Sequence, residues 1–163
     1  MGSGKSTVAR ILGQRLCVPV ADLDALLEAL ESMTIPEFFR RSGEAAFRRH
    51  EGEALERALA SGAGVLACGG GVVLDPAHRA MLRRLCRTVW LEVAPDEAER
   101  RVRSEGPTRP LIEGGGARGL LQTLLAERAP LYAEAAEIRI STDARTPVQV
   151  ADAVLEALGK AAA

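Results

Sequence analysis

The sequence predicts a single α/β domain in which a parallel sheet is covered by helices on both faces. Short apolar runs alternate with amphipathic stretches along its 163 residues, and this alternation is typical of parallel sheets. Hydrophobic residues make up 47% of the chain, which is enough to build one core. A glycine-rich turn runs directly into the first helix. Because ligands of such sheets bind at the carboxyl ends of the strands, we expect the functional site there.

The spacing of apolar residues predicts four strands and eight helices. The predicted strands span residues 18–21, 64–68, 88–93 and 137–141. The predicted helices span residues 5–16, 23–31, 35–59, 76–85, 95–103, 119–128, 130–136 and 148–158. The third helix has a break at Ser42 and Gly43, Pro95 opens the fifth, and Pro130 begins the seventh. Residues 104–118 contain two prolines and four glycines and predict a mobile loop.

Composition excludes several classes of function. A net charge of -1 and an aromatic content of 3% argue against a nucleic-acid partner. No apolar run approaches the ~18 residues of a membrane span, and no signal segment opens the chain, so we expect a cytoplasmic protein. Cys17, Cys68 and Cys86 lack zinc-site spacing, which favours small buried thiols. No exposed apolar stripe stands out, so we expect a monomer.

A phosphate-binding loop is the strongest chemical signal in the chain. The segment matches the end of the motif G-x-x-x-x-G-K-[ST], and its residues are Gly2, Ser3, Gly4, Lys5, Ser6 and Thr7. Glycines let backbone N–H groups turn towards phosphate oxygens, and the helix that follows adds its positive dipole end. The alternative is a flexible Gly/Ser-rich terminus. The apolar helix that begins at once, with Val8, Ile11 and Leu12, favours the phosphate loop.

Acidic and basic side chains at three further places suggest a second ligand. Asp22 and Asp24 follow the first predicted strand, where alternation would point them to different sides; helix capping is the alternative. Arg48 and Glu51 lie three residues apart on one helical face. They form either a surface ion pair or a guanidinium that binds a carboxylate and is held by Glu51.

The segment of Gly69, Gly70 and Gly71, here called the glycine turn, follows the second predicted strand. Glycines weaken a strand unless a ligand or another backbone comes close, although a plain turn is the alternative. Arg109 in the loop could neutralise a transferring phosphoryl group, or be solvated. Arg128 could bind an anion or the helix dipole. Arg145 could stack on an adenine ring, or be a turn residue.

In this combination the sequence resembles shikimate kinase, in the P-loop nucleoside-monophosphate-kinase-like group. The segments that carry the resemblance are GSGKST, DLD, GEAAFRRHE, GGGVV, RPL and ERAPLY. They occur in this order between Gly2 and about Leu158. The phosphate loop is shared with many nucleotide hydrolases, whereas the glycine turn, the Phe-Arg pair and the RAPLY segment point to shikimate.

The resemblance implies ATP-dependent phosphorylation of the 3-hydroxyl of shikimate, a step of aromatic amino-acid (chorismate) biosynthesis. Residues 2–7 would bind ATP. Lys5 would hold its phosphates as a catalytic group, and Ser6 would serve Mg²⁺ together with Asp22, the latter through water.

On the substrate side, the resemblance makes Asp24 the catalytic group that binds and orients or deprotonates the attacking hydroxyl. Arg48 and Arg128 would bind the substrate carboxylate, and Glu51 would support Arg48. The glycine turn would line the substrate pocket with backbone.

The remaining implications concern the nucleotide and the fold. Arg109 would act catalytically from the lid, at about residues 104–118, and contact ATP; Arg145 would lie beside the adenine. The sequence leaves open which of Arg101 or Arg103 contacts the nucleotide. Residues 23–60 would form a helical substrate-binding region within one domain, residues 1–163. The family sheet has five parallel strands in the order 2-3-1-4-5.

The chain departs from this pattern at its first residues. Counting back from Gly4, the first glycine of the motif belongs two residues before Met1, and the central strand of the family sheet lies further upstream. We therefore expect a gap of roughly 9–10 Å between the second and third strands of this chain, with two exposed apolar edges. We expect that Met1 is an internal methionine and that the natural protein is about 10 residues longer. A strained sheet that closes without this strand, or an open groove, are the alternatives.

Two other functions remain open on the sequence. One is a non-catalytic domain that binds a nucleotide or a cyclic acid on the same fold. The other is a related small-molecule kinase, such as a gluconate kinase. The full set of basic and acidic residues argues against the first, and the glycine turn argues against the second.

Overall fold

The computed structural model describes residues 2–104 and 117–160 of the chain. Within these ranges the strands are β1 (Val20–Asp22), β2 (Val65–Ala67), β3 (Val89–Glu92) and β4 (Ile138–Ser141). The helices are α1 (Lys5–Leu16), α2 (Leu23–Glu31), α3 (Ile35–Ala60), α4 (Pro76–Leu85), α5 (Pro95–Ser104), α6 (Ala117–Ala135) and α7 (Pro147–Lys160). A short 3₁₀ turn, Val72–Leu74, precedes α4. The predicted alternation of strands and helices is therefore confirmed.

The four strands form two parallel pairs. β1 runs parallel to β2, with Val20 opposite Val65, and β3 runs parallel to β4, with Val89 opposite Ile138. Within the described residues β2 and β3 do not pair with each other. Parallel pairs need crossover connections, and α3 and the segment through α6 supply them.

An apolar cavity of about 630 Å³ lies between the two strand pairs. Side chains of β2 and β3 face it, among them Val65 and Leu91, and Leu12 of α1 and Val154 of α7 complete its lining. An opening between these two strands agrees with the expectation from the sequence.

Two groups of buried side chains fix the positions of the helices. The first packs α2 and α3 against α4, and includes Leu27, Phe47 and Leu55, which are at most 4% exposed. The second joins α1 to α7 through Val8 and Val154. Truncating a fully buried leucine such as Leu55 to alanine typically costs about 2–5 kcal/mol, so this cluster stabilises the positions of α2, α3 and α4.

Side-chain caps explain where α2 and α3 begin. Asp22 accepts hydrogen bonds from the backbone N–H groups of Asp24 and Ala25 and starts α2. Thr34 and Glu37 form a capping box that starts α3. The Thr34 hydroxyl donates to the Glu37 carboxylate at 2.6 Å, and this bond lowers the pKa of Glu37. The predicted break in α3 is confirmed at Gly43, whose φ of 74° is non-helical.

The prediction of two helices meeting at Pro130 is wrong. α6 continues through Pro130 to Ala135, although a proline inside a helix removes one backbone hydrogen bond. Beyond the proline, Leu131, Tyr132 and Ala135 pack against the buried cluster of α2 and α3. Burial of this apolar face outweighs the lost bond and keeps the segment helical.

The cysteines differ from one another in exposure. Cys68 and Cys86 pack against the core, and burial raises the pKa of Cys68 to about 12, so it stays a neutral thiol. Cys17 is exposed, which corrects the expectation of a buried residue. It ends α1 in a left-handed conformation, φ 55°, at the surface.

None of the helices in the two described ranges combines the length and the apolar character that a membrane crossing requires.

Candidate active site

The phosphate loop has the backbone conformation that its glycines permit. Gly4 lies just before α1 with φ 76°, and no side chain caps this helix. Gly2 has φ 70°, and a Cβ there would come within 2.8 Å of the Ala98 carbonyl oxygen. Both positions therefore require glycine. The first N–H groups of a helix lack intrahelical acceptors and favour anions, and α1 begins directly after this loop.

Lys5 and the acidic residues after β1 border one polar pocket. It has a volume of about 190 Å³ and is called here the phosphate pocket. Its lining consists of Gly2, Gly4, Lys5, Ser6, Thr7, Asp22, Asp24, Ala67 and Cys68. Of the residues that the sequence assigned to phosphates, metal and acceptor hydroxyl, the structure brings Lys5, Ser6, Asp22 and Asp24 together.

Asp22 has two roles in this pocket. One oxygen accepts a hydrogen bond from the Ser6 hydroxyl at 2.5 Å. The other accepts from the backbone N–H of Asp24 at 3.1 Å and so caps α2. The expectation that strand alternation separates the two carboxylates is wrong, because residues two apart on a strand point to the same face and because Asp24 lies in the first turn of α2, not on the strand. The capping interpretation of Asp22 is confirmed, and its second oxygen contacts the phosphate loop through Ser6.

Arg48 is held in place by its neighbours on α3. Its Nη1 donates to Glu51 at 2.6 Å and its Nη2 donates to Glu44 at 3.3 Å. The guanidinium also lies 5.0 Å from the centre of the Phe47 ring. Its Nε is buried and has no hydrogen-bond partner in the described part of the chain. An arginine held in this way is oriented before any ligand arrives.

Glu51 is the buried member of this ion pair. It is 2% exposed, and burial raises the pKa of its carboxyl, while the hydrogen bond and charge of Arg48 oppose that rise. A carboxylate this deeply buried is stable only when it is paired. The alternative of a solvated surface pair is therefore excluded for Arg48 and Glu51.

Side chains from three helices converge at the glycine turn. A Cβ at residue 69 would come within 2.8 Å of an Asp24 carboxylate oxygen. A Cβ at residue 70 would come within 2.9 Å of the Tyr132 hydroxyl, and a Cβ at residue 71 would overlap the Arg48 guanidinium. Three side chains from three helices thus approach the backbone of this turn closely. This arrangement favours the interpretation of close approach over that of a plain turn.

Tyr132 is a site residue that the sequence analysis did not single out. Its hydroxyl donates to the Gly70 carbonyl oxygen at 2.7 Å. Burial raises the pKa of Tyr132, and the charge and hydrogen bonding of Arg128, one helical turn earlier on α6, oppose the rise. Arg128 is thereby placed beside the glycine turn. The only available signal was the position of the tyrosine, four residues after Arg128 in the RAPLY segment.

Arg101 is one of the two arginines between which the sequence analysis did not choose a nucleotide contact. It donates to the Gly2 carbonyl oxygen at 3.2 Å and to the Thr142 carbonyl oxygen at 2.8 Å. It also pairs with Glu97, and Arg100 and Arg101 together lower the pKa of Glu97 to about 2. The base of the phosphate loop is thus joined to the turn after β4.

The remaining predicted residues are Arg145 and Arg109. Arg145 is exposed in the turn after β4, and its backbone N–H donates to the Thr142 carbonyl oxygen at 3.4 Å. Arg109 and the predicted lid between residues 105 and 116 lie outside the described residues.

The fold and the site together define a phosphotransferase of the phosphate-loop class that acts on a small molecule. A family model described as shikimate kinase matches residues 1–159. The chain belongs to the shikimate kinase family, whose members are ATP-dependent kinases of aromatic amino-acid biosynthesis.

Individual relatives agree with this assignment. The chain is 42% identical over 159 residues to a shikimate kinase of Symbiobacterium thermophilum, covering 97% of this chain and 91% of that protein. It is 41% identical to a shikimate kinase of Ruegeria pomeroyi, covering 97% of this chain and 80% of that protein.

Solved structures give the same result. The structure of shikimate kinase from Acinetobacter baumannii in complex with shikimate matches with a TM-score of 0.93 and 32% identity, over 98% of this chain and 89% of that one. A gluconokinase from Sinorhizobium meliloti matches with a TM-score of 0.57 and 21% identity, over 98% and 87%, which shows a shared fold alone.

Replacing Glu51 with glutamine should weaken the hold on Arg48. We expect the KM for shikimate to rise about tenfold, because a charge-assisted bond becomes a neutral one, with little change in the KM for ATP.

In the parent protein, the affinity for shikimate should decrease as the pH is lowered through the raised pKa of Glu51, because a protonated, neutral carboxyl no longer pairs with Arg48. Asp24 and His78 also face this group. Steady-state kinetics between pH 5 and 8 measures both effects.

Glu53→Gln is the matched control, because Glu53 lies two residues further along α3 and is exposed. Its kinetics should equal those of the parent. Equal shikimate KM values for Glu51→Gln and Glu53→Gln would contradict the role of Glu51.

Proposed function

We propose that this chain transfers the γ-phosphoryl group of ATP to the 3-hydroxyl of shikimate. The observation that carries the proposal is the position of Asp24. Its carboxylate borders the phosphate pocket and also lies against the glycine turn. One acidic group therefore lies where an acceptor hydroxyl and a transferring phosphoryl group would meet.

Two arginines give the site its preference for an anionic acceptor. Arg48 and Arg128 lie beside the glycine turn, and we propose that both bind the substrate carboxylate. Guanidinium groups suit this task, because they form paired hydrogen bonds with a carboxylate. The ion pair with Glu51 fixes Arg48 before binding, which lowers the entropy cost of forming the complex. The backbone of the glycine turn would face the substrate ring.

The phosphate loop supplies the nucleotide side of the reaction. Residues 2–7 would surround the ATP phosphates, and Lys5 would neutralise charge on the β- and γ-phosphates. Arg109, from the lid, would add a second positive charge. Arg145 would lie beside the adenine.

The residues of the phosphate pocket also fit a magnesium ion. The Ser6 hydroxyl and the Asp22 carboxylate lie side by side, and oxygen donors are the ligands that Mg²⁺ prefers. In the described residues no three acidic, histidine or cysteine side chains cluster as metal ligands. The remaining coordination would therefore come from phosphate oxygens and water. When bound, the ion neutralises charge on the transferring group.

Asp24 would orient the acceptor hydroxyl and accept its proton as the new P–O bond forms. Phosphoryl transfer needs positioning and charge neutralisation more than covalent catalysis. In this account Lys5, Asp24 and Arg109 are the catalytic residues.

A coupled assay of ADP release tests the proposed function directly, with shikimate, gluconate and no acceptor compared side by side. We expect release that depends on shikimate. Release that depends on gluconate would favour the related small-molecule kinase. Calorimetric binding of shikimate without turnover would favour the non-catalytic alternative.

Asp24→Asn should lower kcat for shikimate about 10²–10⁴-fold, as removal of a general base does, and should change the melting temperature little. Glu56→Gln, at an exposed position of α3, is the control and should keep the parent kcat. A kcat for Asp24→Asn within twofold of the parent would rule out the assigned role.

We further propose that the cavity between β2 and β3 is the position of the family's first strand. Two observations support this. The parallel strands that border the cavity do not pair with each other, and the lining is mostly apolar. A strand placed there would pair with both neighbours and give the family order 2-3-1-4-5. It would also lead directly into the phosphate loop at Gly2.

An N-terminal extension tests this placement. Five apolar β-branched residues followed by Gly-Leu, joined ahead of Met1, should raise both the melting temperature and the shikimate-dependent rate. An extension of equal length made of glycine and serine is the control and should do neither, because it buries no apolar surface. Equal effects of the two extensions would contradict the placement.

A further inference from the structure

We propose that the Tyr132 hydroxyl is a positioning group for the substrate carboxylate site. It donates a hydrogen bond to the Gly70 carbonyl oxygen and lies beside Arg128, which is one helical turn earlier on α6. The proposal rests on the proposed function, because it assigns to Tyr132 the task of orienting a residue that would bind shikimate.

Tyr132 has the glycine turn on one side and Arg128 on the other. Its O–H donates to the Gly70 carbonyl oxygen at 2.7 Å. A phenol oxygen also accepts hydrogen bonds, and Arg128 lies one helical turn earlier on α6, close enough to lower the pKa of Tyr132 by charge and by hydrogen bonding. The Tyr132 side chain therefore lies between Arg128 and the backbone of the glycine turn.

Packing fixes the ring of Tyr132 independently of its hydroxyl. The ring lies 5.6 Å from the Trp90 ring of β3, centre to centre, and it packs against the core between α3 and α4. Removing the hydroxyl alone should leave the ring in place. Tyr132→Phe therefore separates the positioning role from the packing role.

Residue 70 must be small for this hydrogen bond to form. A Cβ at Gly70 would come within 2.9 Å of the Tyr132 hydroxyl oxygen, in the space that the hydrogen bond occupies. On the other side of the turn, Arg48 lies against Gly71. The two arginines proposed to bind the carboxylate thus lie near adjacent residues of the glycine turn. Arg48 approaches the turn directly, and Arg128 approaches it through Tyr132.

Calorimetric titration of the parent protein and of Tyr132→Phe with shikimate tests the proposal. We expect shikimate to bind about tenfold more weakly to the variant, because Arg128 loses a partner that orients it, while Mg²⁺–ADP binds equally to both. The methyl ester of shikimate, which lacks the negative charge, should bind with the same affinity to the two proteins. A merely structural role would weaken all three ligands together and lower the melting temperature.

Trp90→Phe is the matched control, because it changes the ring that packs against Tyr132 and keeps the Tyr132 hydroxyl. It should leave the ratio of shikimate to ADP affinity unchanged. Unchanged shikimate affinity in Tyr132→Phe, or an equal loss for the methyl ester, would overturn the proposal.

A second measurement uses the parent protein alone. Tyr132 is the single tyrosine of the chain, so labelling with [¹³Cζ]tyrosine gives one NMR resonance. Shikimate should shift this resonance more than its methyl ester does; no shift at saturating shikimate would overturn the proposal. A parent protein that binds no shikimate would overturn both this proposal and the proposed function, whereas an active parent with an equally competent Tyr132→Phe would overturn this proposal only.

Discussion

Close approach of side chains to the backbone of residues 69–71 is the constraint on which the site depends. Asp24 of α2, Arg48 of α3 and Tyr132 of α6 each lie where a Cβ on one of the three glycines would stand. Each glycine loses conformational entropy when it is ordered in the native state, and in exchange three helices are brought to one point. The positions of Asp24, Arg48 and Tyr132 therefore depend on the absence of side chains at residues 69–71.

Asp24 links this convergence to the nucleotide. It borders the phosphate pocket, and α2 begins there because Asp22 caps the helix while accepting the Ser6 hydroxyl. A single turn of chain thus sets the end of β1, the start of a helix and the relative position of two carboxylates. The buried pair of Arg48 and Glu51 supplies a second fixed point. An acceptor bound between these groups would meet the phosphate pocket with little further rearrangement.

The sequence predicted what depends on neighbours in the chain. The helix of residues 5–16, the break at Gly43 and the pairing of Arg48 with Glu51 all follow from short spacings. Prediction failed where distant residues decide the outcome. Packing of α6 against the core overrides Pro130, at which the local pattern placed the boundary between two helices. Tyr132 meets Gly70 across 62 residues of sequence, which no local pattern reveals. The opening beside β2 was foreseen only through the family resemblance.

The position of Arg48 depends on the missing side chain at residue 71, and Gly71→Ala tests this most directly. The added methyl group would overlap the Arg48 guanidinium, the movable end of a side chain, so the fold should survive while Arg48 is displaced. Calorimetry should show shikimate binding weakened about tenfold or more, with Mg²⁺–ADP binding unchanged. Unchanged shikimate affinity, or an equal loss for both ligands, would contradict the account.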